Sequence, residues 1–225
     1  MEKVIVCATY NNFISDMMNT IFVKISILLF FLAAVCGITV AVAAGKKQIT
    51  EADKNMTTAA EDPVFLRTSV RSFTPQKVEQ EKLDKLLRAA MAAPSAGNEQ
   101  PWEFYITENH DVMEKLSRAD RYASPAANAP LLLILCYDKN KLLYPDFPLI
   151  DMACCAENIM IEAAGLGLGT VFLSIAPIPD RMKTVSTVLN LPDNIVPYVL
   201  IPVGYPSAAQ QQEDRYDANR IHVIK

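Results

Sequence analysis

The sequence predicts a mixed α and β domain, its helices and strands alternating along the chain, behind a leader that is not part of it. Three observations predict this. Apolar residues recur at helical spacing in two long stretches, within 74–91 and 149–164. Between and after them lie short apolar runs, "WEFYIT", "PLLLILCYD" and "IVPYVLIPVGYP", that suit strands. A charge-free stretch, residues 25–44, is separated from all of these by a polar, aperiodic segment.

The leader comes first. Ile25 to Ala44 is bounded by Lys24 and by Lys46 and Lys47. A basic residue, an apolar middle and the small residues "AVAA" form the pattern of a signal peptide, which would export the domain to the periplasm or cell envelope. About 20 apolar residues also just span a hydrocarbon core, so the alternative is a membrane anchor formed by residues 25–44. The compact "MNTIFVK" favours a true start at Met17 or Met18. The expected organisation is a leader over 1–44, a flexible tether over 45–63 and a folded domain over 64–225, with membrane contact only through the leader.

Within the domain, Leu83, Leu86, Leu87, Ala90 and Met91 share one helical face, which predicts an amphipathic helix starting at Thr74 and Pro75 and stopping before Pro94. "WEFYIT" follows as a strand, "NHDVMEKLS" as a short helix capped by Asn109, and "PLLLILCYD" as a buried strand. Met152, Cys155, Ala156, Ile159, Met160 and Ala163 line one face of a second helix over 149–164. Its glycine-rich end leads into a strand, "TVFLSI". A helix over 180–189, a last strand and a polar tail with Arg215 and Arg220 complete the chain.

Several functions are excluded by what is missing. A net charge of −4 offers no basic field for a nucleic-acid backbone. There is no G-x-S-x-G elbow, and His110 and His222 stand apart from any partner spaced for a triad or a metal. Cys136, Cys154 and Cys155 show no C-x-x-C spacing, and the adjacent pair suits buried packing. "GLGLG", residues 165–169, follows a helix and precedes a strand, the reverse of a dinucleotide-binding turn, so it reads as a helix stop. "RTSVRSF" is more informative: Arg67, Thr68, Ser69 and Arg71 put two fixed positive charges and two hydroxyls in one short stretch, a set suited to phosphate, although taken alone the segment also reads as a solvated basic stretch.

The segments "RTSVRSF", "APSAGNEQPWEF", "DMACCAENIMIEAAGLGLGTVFLS", "PVGYP" and "EDRYDANRIH", in this order, resemble the nitroreductase family of FMN-dependent oxidoreductases over about residues 64–222. The resemblance implies an α+β fold with a mostly antiparallel central sheet wrapped by helices, and a homodimer with two FMN sites at the subunit interface. By position, Arg67, Thr68, Ser69 and Arg71 would meet the FMN phosphate and the flavin edge, and Asn98 the flavin or ribityl chain. Pro94, Ser95 and Gln100 would shape the pocket, main-chain groups at Leu173 and Ser174 would approach flavin N5, and Arg215 would clasp the phosphate. Glu213 stands where relatives often carry lysine, one positive charge fewer.

The implied reaction is a ping-pong hydride transfer from a nicotinamide donor, NAD(P)H, through flavin N5 to nitroaromatic, quinone or similar small acceptors. No catalytic side chain is expected, because the chemistry belongs to the flavin. The alternative is a non-catalytic flavin- or ligand-binding protein on the same fold. An exported domain would lie apart from the cytoplasmic nicotinamide pool, so an anchor or a different donor would then be needed.

Overall fold

The computed structural model describes residues 62–212 and 214–224. The leader expected over 1–44 and nearly all of the tether lie outside them, as does Glu213. Among the described residues no helix is long and apolar enough to cross a membrane.

The described residues open on a one-turn helix, α1 (Pro63–Leu66), where the Asp62 carboxylate accepts from the Val64 N–H at 3.1 Å and proline occupies the first turn. The next helix, α2 (Gln80–Met91), buries Leu83, Leu86 and Ala90 as its spacing predicts. It does not start at Thr74 as expected from sequence. The Thr74 N–H donates to the Tyr205 carbonyl at 2.8 Å and Phe73 bridges Pro206, so the strand exit holds this stretch extended.

Strand β1 (Trp102–Thr107) leads to α3 (His110–Ser117), whose cap Asn109 accepts from the N–H groups of Asp111 and Val112. A one-turn helix, α4 (Pro125–Asn128), precedes β2 (Leu131–Asp138). The longest helix among the described residues, α5 (Pro148–Gly165), buries all six residues of the predicted face together with Pro148 and Asp151. The predicted strand over "TVFLSI" is instead two short ones, β3 (Gly169–Thr170) and β4 (Leu173–Ser174). Both pair with β5 (Ile195–Gly204), which follows α6 (Pro179–Leu189).

The sheet runs β1-β2-β5-β3, with β4 also on β5, and all these ladders are antiparallel. Helices cover both faces. Leu131, Leu133 and Leu135 pack with α2 and α5, while Leu132, Ile134 and Cys136 pack with α3, α4 and α6. Strand residues alternate sides, so burial on both faces requires an unbroken apolar run. That is why "PLLLILCYD" has no polar alternation.

The glycine run closes α5. Gly167 takes φ of 72°, and the N–H groups of Gly167 and Leu168 turn back to the carbonyls of Ala164 and Ala163, at 3.1 and 2.8 Å. A side chain at Gly204 would place its Cβ 2.6 Å from Pro130 Cδ, where a rigid ring cannot yield. Gly204→Ala is therefore expected to destabilise the domain by about 1–3 kcal/mol, the usual cost of overpacking, read as a lower urea midpoint at unchanged m.

Candidate functional site

Where α5 ends, the chain leaves a groove of about 540 Å³, within the range of about 300–1,000 Å³ typical of small-molecule sites. Three segments wall it: 66–70, the end of α5 with Gly167 and Leu168, and the strand exit from Tyr205 to Gln210. Arg67 is the one cation among the described lining residues. Its Nε lies 3.2 Å from Glu157 on α5, which aims the guanidinium across the helix. The Thr68 hydroxyl reaches Gln210 at 3.5 Å, the long limit of a hydrogen bond, so it is a readily exchanged donor. Ser69 and Arg71 fall outside the lining. The segment is extended, with Ser69 bridging Thr170, and Arg71 donates to the Ser69 carbonyl at 3.1 Å.

A helix C-terminus presents carbonyls and negative dipole, a poor neighbour for an anion. Lys82 on α2 corrects this. Its ammonium donates to the Leu166 carbonyl at 2.8 Å and to the Tyr205 hydroxyl at 2.9 Å, and it lies 4.7 Å from the centre of the Tyr205 ring. Tyr205 in turn donates to Glu79. That bond, with help from the charge on Lys82, holds the Glu79 carboxyl below the usual glutamate range. One lysine thus ties two of the groove's walls together.

The stretch 94–100 forms a second feature, at the other end of α5. Gly97, Asn98 and Gln100 all take positive φ, of 54°, 58° and 49°, a conformation costly for the two amides. Local bonds sustain it: Gln100 N–H donates to the Ser95 hydroxyl, and Gln100 Nε2 to Asn98 Oδ1, each at 3.0 Å. Asp151, in the first turn of α5, accepts from the Ala96 N–H at 3.0 Å. The Tyr144 ring occupies the space a Cβ at Gly97 would need. Asn98 is exposed, and its carboxamide nitrogen has no partner among the described residues. Pro94, also exposed, starts the loop.

The two features do not meet within one copy of the chain. From Asp151 to Ala164, which lines the groove, α5 rises about 20 Å at 1.5 Å per residue. Leu173 is buried opposite Leu200, and the Ser174 carbonyl accepts from Arg181 at 2.9 Å, so neither joins the groove lining. Arg215 is exposed and forms no ion pair among the described residues. Sequence reasoning missed Lys82, Thr170, Tyr205, Ser207 and Gln210. For Tyr205 the signal was "PVGYP", which marks the turn without showing which side chains face inward. Burial pushes the Cys136 and Cys155 thiols up to about 12, so neither is a ready nucleophile.

Fold and groove together define a class: an α+β domain with an antiparallel sheet covered on both faces and a small-molecule groove carrying a guanidinium. A model of the nitroreductase family matches residues 65–144 and 118–205. The chain belongs to the nitroreductase family. It is 34% identical over 164 residues to a Methanothermobacter thermautotrophicus protein provisionally described as an NADH dehydrogenase/NAD(P)H nitroreductase, covering 73% of this chain and 86% of the relative. A solved structure from Clostridium acetobutylicum, provisionally described as an NADH oxidase, superposes with a TM-score of 0.71 at 46% identity, over 73% of this chain and 99% of that one. An FMN-dependent nitroreductase from Clostridium difficile R20291 gives 0.67 at 26% identity, over 73% and 98%.

Lys82→Met is expected to lower unfolding free energy by about 1.5–3 kcal/mol, the worth of hydrogen bonds from a charged donor. Urea denaturation checks this, and Lys82→Arg should recover part of the loss.

Proposed function

We propose that this protein is an FMN-dependent oxidoreductase that takes electrons from NAD(P)H and delivers them to nitroaromatic, quinone or similar small acceptors, the two substrates using one slot in turn. The observation that carries this is the groove at the end of α5, where Arg67 offers a forked cationic donor beside the Thr68 hydroxyl. That donor set fits a phosphate. Bound FMN supplies reversible two-electron chemistry, so no side-chain nucleophile is needed. The chain's own part is to hold the phosphate end with Arg67 and Thr68, to stiffen the walls through Lys82 and Tyr205, and to present Ser69 and Arg71 farther along the same segment.

We place the Asn98 loop, with Ser95 and Gln100, at the groove of a second copy. α5 is apolar around much of its circumference: besides its buried face, Ile150 and Ala153 are exposed and Cys154 and Ile161 half-buried. Apolar residues left on the outer side of a helix call for a second surface to bury them. Two copies related by a two-fold axis across this face would run their α5 helices antiparallel, bringing each loop to the other copy's groove. Arg215 and the remaining tail would close over the phosphate. We further propose that residues 25–44 export or anchor the domain; protease accessibility in intact and permeabilised cells decides which side it faces.

Purified protein is expected to be yellow, to bleach anaerobically with NADH or NADPH and to recover colour with a quinone or nitroaromatic. Flavin that binds but ignores both nucleotides would instead support the binding-protein reading. Arg67→Ala is expected to raise the FMN Kd about 10- to 100-fold, as loss of a charge-assisted contact of about 1.5–3 kcal/mol requires. Fluorescence titration checks this, and an unchanged Kd would remove Arg67 from the site.

A further inference from the structure

We infer that Asp151 and Glu99 share one proton, and that this carboxylic acid–carboxylate pair is the clasp that positions the Asn98 loop. Asp151 is only 4% exposed. Its Oδ1 accepts from the Ala96 N–H, while its Oδ2 is fully buried with no donor. Glu99 repeats the pattern: Oε2 accepts from the N–H groups of Leu143 and Tyr144, at 2.6 and 3.0 Å, while Oε1 is buried with no donor. Glu99 follows Ala96 by one turn, its N–H donating to the Ala96 carbonyl at 3.1 Å, so both orphaned oxygens belong to the same loop clasp. Two orphaned carboxylate oxygens in one dry place repel, whereas one proton between them satisfies both.

The proton belongs on Asp151. Glu99 accepts two main-chain N–H bonds where Asp151 accepts one. Burial pushes the Asp151 carboxyl above the usual aspartate range against the pull of the Ala96 N–H, and the charge and hydrogen bonding of Glu99 add to the rise. No cation on the neighbouring segment supplies a counter-ion: Lys141 is committed to Glu103 at 2.6 Å, and Asp146, exposed, carries the same sign of charge. The pair thus joins three segments, the first turn of α5, the 94–100 loop and the turn at 143–144. Asp151 and Glu99 are positioning residues, acting on Asn98 through the backbone at Ala96 and through their own loop.

The sign follows from linkage. The folded state keeps a proton that the unfolded chain releases in the ordinary aspartate range, so the stabilisation is complete below that range and lost as pH rises through the raised value. Wild-type protein should show a carboxylic acid C=O band in the infrared, shifted in D2O, that Asp151→Asn and Glu99→Gln each abolish. Both variants retain a donor between the two positions, an amide N–H in place of the acid, and should fold. Their melting temperature should fall less than that of wild type as pH rises from about 5 to about 8. The FMN arm rests on the cofactor reading above: wild-type Kd should rise with pH, by at most about tenfold per pH unit for one proton, and Asp151→Asn should flatten that slope. No acid band, or identical pH slopes in all three proteins, overturns the proposal. A protein with the band that never takes FMN supports the pair and counts against the cofactor reading. FMN uptake without the band does the reverse.

Discussion

The constraint on which the rest of the structure depends is the burial of α5. Met152, Cys155, Ala156, Ile159 and Ala163 are fully enclosed between this helix, α2 and the sheet, so α5 cannot shift without opening the main core. Both candidate site features are attached to it. Its first turn holds the Asn98 loop through Asp151, and its last turn forms a wall of the Arg67 groove through Ala164, Gly167 and Leu168. The helix is therefore a rigid spacer as much as a core element, and its length sets the separation of about 20 Å between the two features.

Electrostatics decide what the groove can hold. A helix C-terminus alone would repel an anion. Here the Leu166 carbonyl is occupied by the Lys82 ammonium, and Arg67 is brought in from α1's exit by Glu157. The Arg67–Glu157 pair is partly solvated and adds little to stability. Its value lies in orientation, because a guanidinium already held by Glu157 loses less freedom on meeting an anion. At the opposite end the problem is conformational strain, and the loop answers it with a dense set of short-range bonds around three positive-φ residues.

Much of the fold was legible in the sequence, because periodicity reports burial directly. The buried face of α5, the Asn109 cap and the two-sided burial of β2 all follow from local pattern. What was not legible depended on contacts between distant residues. The start of α2 is set by Phe73 and Thr74 pairing with the exit of β5, which overrides a local helix signal. "TVFLSI" divides into two strands that keep one register on β5, the ladder lapsing at Val171 and Phe172, opposite Pro202 and Ile201. In the site, Arg67 and Thr68 were visible as a phosphate-suited set. Their distance from Asn98 was not, since nothing in the spacing shows that an intervening helix holds them apart. The clasp at Asp151 was hidden for the same reason, its partners lying on two other segments.

The central claim is that Arg67 of one copy and Asn98 of another build each site. Mixing Arg67→Ala protein with Asn98→Ala protein under conditions that allow subunit exchange tests it most directly. Each mixed dimer would then hold one site with both residues intact, and FMN binding and NAD(P)H-dependent reduction are expected to return although neither parent shows them fully. If the mixture performs no better than the average of the two parents, both residues serve the same copy's flavin and the two-copy site is wrong.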